Sequence, residues 1–429
     1  MQVDTATPHH WRKISREPQA STPPLAGEET AQLAIIGGGF TGLSAALAAA
    51  EAGAAPLLLE SDYIGAGASG RNNGLVVPQH SRANPAVIER ILGSVYGPRY
   101  NAMIAGAAGE LFDLVAHHII DCDAVQNGWI QPAHSEATLA HARTIHAEWK
   151  AIGAAVEWLD TAELAGRLGA SGYLGGWQAN EGGHINPYAL TQGMARAAIG
   201  AGARIRAKAP VRAIRPDGHR WLIEAAGGLV RAEKVLIATN ALTGAFWPEL
   251  AKAMIPVKLF QTASRPLSDN LRATILPGNQ GFTDMRRVLR AFHYDRDGRL
   301  ISGGRMALGY HAAARGRSAV ERNIQQSFPH LGEVAVGEYW EGIVGVSPDR
   351  LPRLMRLAPG VLFCGVYSGR GVALATALGR RIGQFLAERL EESELPVPVS
   401  ALRKIPAHGI QVVVARFIQP WHRLLDRRA

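Results

Sequence analysis

Three glycines at the end of an apolar run constrain this chain more than any other feature. Gly37, Gly39 and Gly42 follow Leu33 to Ile36 and open an alanine-rich stretch from about Thr41 to Gly53. A short apolar run that stops abruptly at glycine reads as a buried parallel strand, and the stretch after it as a helix. In this G-x-G-x-x-G register the first glycine permits a tight turn. The second lets backbone approach a pyrophosphate, and the third lets helix and strand pack closely. The helix N-terminus, with Phe40 and Thr41 in its first turn, directs its N–H groups at that phosphate. A second run, Leu57 to Leu59, ends in Glu60, 18 residues after Gly42. A carboxylate there accepts hydrogen bonds from the hydroxyls of an adenosine ribose. The unit therefore predicts an adenine-dinucleotide site.

Length allows a large core and two domains, since the chain has 429 residues. With 47% hydrophobic and 19% charged residues the composition is that of a globular protein. No apolar run is long enough to span a bilayer. The N-terminal stretch, rich in His, Arg, Lys and Pro, lacks the apolar core of a secretory signal, so a cytoplasmic location is the expectation. The only cysteines, Cys122 and Cys364, form no disulfide framework and no metal-ligand cluster, so no metal is expected. The net charge of +9 comes from arginines spread along the chain without a basic run. No nucleic-acid partner is therefore expected; the excess suits acidic small molecules or anionic membrane surfaces through the long-range field.

Taken in order, residues 1–29 read as an extended arm, and 30–84 as the first segment of a cofactor-binding domain. Within the latter, Ile64 to Gly74 is a second glycine-rich stretch, with Ser69, Arg71 and Asn72 as donors toward a flat ligand. Residues 85–180 turn helical, with Ala102–Ile120 and Glu136–Ile152 amphipathic. Residues 181–262 return to the first idiom: a helix from Pro187 to Gly200, short strands at 204–207, 211–214 and 221–225, then Lys234 to Asn240 as a buried strand. Residues 263–337 alternate like antiparallel strands, including Val288–Tyr294 and Arg299–Ile301 about an Asp-Arg-Asp-Gly turn. In 338–395 the apolar run from Val361 breaks into Tyr367-Ser-Gly-Arg-Gly371, and a helix follows whose N-terminus favours negative charge. Residues 396–429 form a tail. The elements of the first fold recur at three separated places. The fold class is thus α/β, with a discontinuous Rossmann-like domain interleaved with an α+β domain built on an antiparallel sheet.

The assembled motifs resemble the D-amino-acid-oxidase-like family of FAD-dependent oxidoreductases, and most closely its gamma-glutamylputrescine-oxidase branch. The resemblance is carried by Ile35 to Ser44, Gly67 to Asn72, Gly182 to Pro187, Arg299 to Arg305, Trp340 to Gly342 with Ser347-Pro-Asp349, and Gly365 to Gly371. It implies FAD, with Gly37, Gly39 and Gly42 facing the pyrophosphate and Glu60 the ribose. Ser69, Arg71 and Asn72 then lie along the flavin, followed by Asn73 and Gly74, and Gly369, Arg370, Gly371 and Val372 lie near its pyrimidine edge. The cofactor set also takes in Val211, Thr239 and Asn240. One departure is Asn73, where the branch usually has glycine. Covalent relatives attach flavin through a cysteine in the region corresponding to 340–349 or a histidine after the ribose acid; both are missing here, so the FAD is expected to be non-covalent.

What the resemblance implies chemically is oxidation of a C–N bond, giving an imine that hydrolyses to an aldehyde or keto acid, with O2 reduced to H2O2. Position and electrostatics dominate such a reaction, and no general-base constellation is needed or visible. His293, Tyr294 and Tyr367 are the candidates for lining the pocket, and Lys258 for assisting oxygen reduction. Arg286, Arg290 and Arg305 are the candidates for holding an anionic group on the amine, because the guanidinium fork matches a carboxylate. As a strand, 286–293 would put Arg286 and Arg290 on one face with Phe292, and Arg287 and His293 on the other. Two alternatives stand beside this reading: a dehydrogenase passing electrons to a quinone or carrier protein, and a non-catalytic flavin-binding subunit peripheral to a membrane. The second rests on the apolar and basic segment Ile410 to Leu425, for which packing on the parent domain is the preferred reading over membrane association.

Overall fold

The computed structural model describes residues 4–305 and 311–415. Two large sheets organise it. The first has nine strands, of which five consecutive ones run parallel in the order Val361–Gly365, Gly228–Ile237, Gly27–Ile36, Leu57–Leu59 and Arg204–Arg206. Alternate residues of the glycine-terminated strand feed two separate cores. Leu33 and Ile35 pack on the helix side, and Ala34 and Ile36 on the opposite face. Both faces are covered, which is why the strand reads as an unbroken apolar run. The short strands expected at 211–214 and 221–225 are the hairpin Val211–Asp217 and Arg220–Ala225, which extends the strand Gly228–Ile237.

The alanine-rich helix is Phe40–Glu51, and it packs on the last long helix, Gly371–Leu386. Backbone meets backbone at this contact: a Cβ at Gly383 would lie 2.4 Å from the Ala45 carbonyl oxygen. Small residues on both helices are the condition for that approach. Ser44 Oγ also donates to Thr376 O at 2.7 Å, tying the pair.

The second sheet has eight strands, in the order Val336–Val346, Ile255–Pro266, Arg299–Arg305, Ala291–Tyr294, Gly281–Thr283, Trp129–Ala133, Gly175–Ala179 and Val156–Leu159. All its joins are antiparallel except that between Gly281–Thr283 and Trp129–Ala133. Its first pairing is a long register from Ile255 with Val346 to Ser264 with Val336. Residues 255–262 and 338–346, placed by the sequence reading with the cofactor domain, thus take their backbone partners from the antiparallel sheet.

Two expectations need correction. The arm at 1–29 is not simply extended. His10–Ile14 is a short helix, with Trp11 buried and its indole N–H donating to Asn72 O at 2.9 Å. His10 Nε2 lies 2.9 Å from Asp295 Oδ2, so an aromatic and ionic anchor outweighs the flanking prolines. Residues 285–290 form no strand either. Asp284 Oδ1 accepts from the backbone N–H groups of Arg286 and Arg290, which curls the segment into a loop; the strand begins at Ala291. Arg286, Arg287 and Arg290 therefore share no strand alternation.

Elsewhere the helix expected from Ala102 is the second half of Pro85–His117, which breaks at Gly93 where φ is 77°. Among the described residues no helix is long and apolar enough to cross a membrane. The apolar C-terminal segment is described only to Ala415, helical over 408–415 with Ile410, Val413 and Val414 exposed. Its remainder, from Arg416, lies outside the described residues.

Candidate active site

The dinucleotide end is made of backbone. Gly37 has φ 111° and donates its N–H to Leu59 O at 2.9 Å, which turns the chain sharply off the strand. A Cβ at Gly42 would sit 2.0 Å from the Gly37 carbonyl oxygen, so the turn closes on the helix only with glycine there. No side chain caps the helix at Gly39 by its usual route; instead Ser69 Oγ accepts from Phe40 N–H at 3.0 Å. Helix termini left open this way supply anion sites. Phe40 itself is buried in the core. Thr41 Oγ1 meets the Tyr367 hydroxyl at 2.7 Å.

Glu60 stands at the end of its strand, as expected. Its Oε2 accepts from Gly38 N–H at 2.7 Å and its Oε1 from Asp62 N–H at 2.9 Å. Burial raises the carboxyl above its usual range, opposed by those hydrogen bonds. Ala209 N–H donates to Glu60 O, which brings the start of the strand Val211–Asp217 to this end. Beyond Gly228–Ile237, Thr239 Oγ1 pairs with Thr243 Oγ1 at 2.6 Å, and Asn240 Oδ1 accepts from Val366 N–H at 3.3 Å. Asn240 thereby ties this strand end to the turn before the last long helix.

The loop from Ile64 to Gly74 uses its polar groups internally. Arg71 is buried, and its guanidinium donates to the carbonyls of Ala66, Glu341 and Asp4 and to the Tyr63 hydroxyl. Asn72 Nδ2 donates to Ser69 O at 2.7 Å, while its Oδ1 accepts from Gly74 N–H at 2.8 Å. Arg71 and Asn72, expected as donors to the ring, therefore shape the loop that carries Asn73 and Gly74. Asn73 Nδ2 donates to Gln261 Oε1 at 3.1 Å, and its own Oδ1 is buried without a protein partner.

A cavity of about 840 Å³ opens on Asn73, Gly74 and the turn Ser368 to Val372. Strand alternation at Ile255–Pro266 presents Val257, Leu259 and Gln261 to it. Lys258 falls on the other face, ion-paired with Glu341, and does not reach the cavity. None of the three expected aromatic residues is among the described residues that line it. Tyr367 points into the core between the two long helices, bonded to Thr41, with its hydroxyl pKa raised by burial. Tyr294 donates to Ile275 O at 2.9 Å and borders a smaller cavity of about 440 Å³ instead. His293 is buried behind the loop, with Nε2 2.6 Å from Asn73 O and Nδ1 2.8 Å from Tyr294 O. It stacks on Trp11, and burial lowers its pKa. It buttresses the cavity wall without lining it.

The arginines divide. Arg290 turns away to Ser327 and Gln326. Arg286 lines the cavity but is ion-paired with Asp284, the one carboxylate among the described lining residues. Arg305 lines it and donates to Ala415 O of the C-terminal segment. The sequence reading missed Gln79, Gln131, Gln261 and Arg350. Gln79 Nε2 donates to Gln131 Oε1 at 3.2 Å, leaving Gln79 Oε1 buried and without a protein partner. A scattered glutamine carries no spacing signal; Arg350 had one, since it directly follows the Ser347-Pro-Asp349 motif.

A parallel sheet bearing a glycine turn and an acid at the end of the neighbouring strand, set against an antiparallel sheet with a cavity between, is the build of a two-domain flavin-dependent oxidoreductase. The turn fits a pyrophosphate because a Cβ at Gly38 or Gly39 would meet neighbouring atoms at 2.6 and 2.8 Å, leaving glycine backbone as the lining. The chain belongs to the DAO family of FAD dependent oxidoreductases, whose model matches residues 32–385. It is similar to the probable oxidoreductase OrdL of Rhizobium meliloti (strain 1021), 31% identical over 98% of this chain and 97% of that one. It is also similar to the gamma-glutamylputrescine oxidoreductase of Escherichia coli (strain K12), 31% identical over 84% and 85%. Among solved structures, glycine oxidase from Geobacillus kaustophilus shares the fold with a TM-score of 0.70, at 23% identity over 88% of this chain and 99% of that one. FAD is thus the cofactor, held non-covalently; Cys364 is buried in the core with its thiol against the Tyr367 hydroxyl.

Proposed function

We propose that this chain oxidises the C–N bond of a small amine or amino acid carrying an anionic group, within or beside the gamma-glutamylputrescine branch. The observation that carries the reading is the composition of the cavity wall. Amide side chains and guanidiniums are set among aliphatic ones around it, and its one described carboxylate is already committed to Arg286. Such a wall binds and orients, and it supplies no free carboxylate to abstract a proton. Bound FAD would supply the hydride acceptor for the substrate carbon, with O2 as the terminal oxidant and H2O2 as the reduced product. This chain's part is to hold the reacting carbon against the Asn73–Gly74 loop and the turn Ser368 to Val372. The imine then hydrolyses to a carbonyl compound and an amine or ammonia.

Anaerobic bleaching of the bound flavin against a panel of primary and secondary amines tests the reaction class. Amines should reduce it, and air should restore the oxidised spectrum with one H2O2 per turnover. Reduction by alcohols or hydroxy acids and by no amine would overturn the C–N assignment. Reoxidation by a quinone and not by O2 would favour the dehydrogenase reading.

A further inference from the structure

Three consecutive carbonyls of the loop that reaches the cavity are turned onto one layer of aromatic rings. Trp340 Nε1 donates to Arg71 O at 2.9 Å and Trp11 Nε1 to Asn72 O at 2.9 Å, while His293 Nε2 lies 2.6 Å from Asn73 O. The rings touch through Trp11, which meets Trp340 edge-on at 6.0 Å between centroids and stacks on His293 at 6.1 Å. All three are buried. A regular strand sends successive carbonyls to opposite sides, and Asn72, with ψ −176°, is not helical. Neither regular backbone produces this arrangement, and the ring nitrogens hold it.

In a trans peptide the N–H points opposite to the carbonyl. The described chain has no cis peptide. Across from Asn73 O, the Gly74 N–H donates to Asn72 Oδ1 at 2.8 Å. Across from Asn72 O, the Asn73 N–H has no hydrogen-bond partner among the described residues. That N–H points away from the ring layer, to the side where the cavity of about 840 Å³ opens on Asn73 and Gly74. The ring that fixes its peptide comes from the N-terminal arm, outside the residues 32–385 matched to the family. The short helix His10–Ile14 carries it there, held by His10 Nε2, 2.9 Å from the buried Asp295 Oδ2.

We propose that Trp11 is a positioning residue for the flavin: it orients the Asn72–Asn73 peptide so that the Asn73 N–H faces the isoalloxazine ring and favours its reduced state. This rests on the flavin-oxidoreductase reading, with FAD against the Asn73–Gly74 loop, and not on which substrate is oxidised. A fixed N–H stabilises the ring more once it has gained negative charge than before. Trp11 therefore acts on the redox potential. Packing alone would change the affinity for oxidised and reduced FAD alike and leave the potential where it was.

The test measures the midpoint potential of the FAD-loaded enzyme by equilibration with a reference dye under xanthine and xanthine oxidase, which needs no amine. Trp11→Phe keeps an aromatic ring and removes the N–H. It should retain FAD but hold the reduced form about tenfold less tightly, relative to the oxidised form, than wild type does, a potential about 30 mV lower for the two-electron couple. An unchanged potential overturns the proposal. Loss of FAD from Trp11→Phe overturns it too, since the N–H would then govern fit and not reduction. Asn73→Ala and Asn73→Pro both remove the side chain, and only the second removes the N–H; the extended Asn72 suits a following proline. Asn73→Pro should lie below Asn73→Ala by the same margin. Equal potentials would turn the N–H away from the ring, and a drop in Asn73→Pro with none in Trp11→Phe would give the orienting role to another group; either result overturns the proposal. If no amine reduces the flavin, the reaction reading fails separately and these potentials still decide for Trp11.

Discussion

The two halves of the site are built from different materials. Around the dinucleotide turn, recognition is left to backbone N–H groups, and side chains matter mainly by being absent, as at Gly37, Gly39 and Gly42. Around the cavity the backbone is a frame, and the polar side chains of Asn73, Gln79, Gln261, Arg350 and Arg370 line the wall. The first half is therefore intolerant of added atoms and the second of altered charge. The sharpest way to break this contrast is Gly42→Ala. Its Cβ would lie 2.0 Å from the Gly37 carbonyl oxygen, backbone against backbone with nothing flexible to yield. The expected outcome is loss of FAD-bearing protein, measured as the ratio of flavin to protein absorbance after gel filtration. Wild-type FAD occupancy in that variant would mean that the turn is held by something other than this close approach.

That difference also governs what can be read from sequence. A backbone turn leaves a spacing signature, because glycine must recur where a Cβ cannot fit, as at Gly37 and Gly42; Glu60 stands at the strand end where the spacing places it. A side-chain site leaves residues scattered by topology. Gln261 and Arg350 reach one wall because Ile255–Pro266 pairs with Val336–Val346, and Gln79 joins them from the loop after Leu75–Val76. Residue type alone misled. Tyr367, beside the glycines, turns inward to Thr41, and His293 supports Asn73 from behind. Arg71 looked like a ligand donor and instead ties its loop to three carbonyls. In each case long-range packing fixes the direction of one side chain, which a local motif does not encode.

A smaller effect tests whether cavity side chains also support the fold. Asp284 is fully buried, and Arg286 is its cationic partner. Arg286→Met leaves that carboxylate with two backbone donors and the Tyr173 hydroxyl, and no cation. Removing one partner of a buried pair costs about 3 kcal/mol, the low end applying because the Arg286 and Arg290 N–H groups remain. Urea denaturation with saturating FAD should show that loss, with FAD occupancy unchanged. Unaltered stability would mark Arg286 as a ligand group held in reserve.

The finest distinction is in the sign of the pH response. His80 lies between the cavity residues Gln79 and Ser81, fully buried, with Nδ1 3.3 Å from the Tyr100 hydroxyl and Nε2 unpartnered in the protein. Burial holds its pKa down at about 4, with Arg370 and Arg350 lowering it further and Asp349 opposing. The unfolded chain, with an imidazole pKa of about 6.5, takes up the proton first as pH falls. Stability from His80 is therefore intact above that value and is lost as pH falls toward 4. Between pH 7 and 5 the loss is about 2 kcal/mol. Glu60 in the dinucleotide half behaves oppositely in apo-protein: its raised pKa adds stability at acid pH that is lost as pH rises. His80→Asn should flatten the acid limb, shrinking the fall in unfolding free energy between pH 7 and 5 by about 2 kcal/mol relative to wild type. Urea titrations of both proteins at the two pH values, with FAD in excess, measure that difference. Parallel pH profiles would mean that the imidazole is hydrated and that the cavity half carries no acid liability at this position.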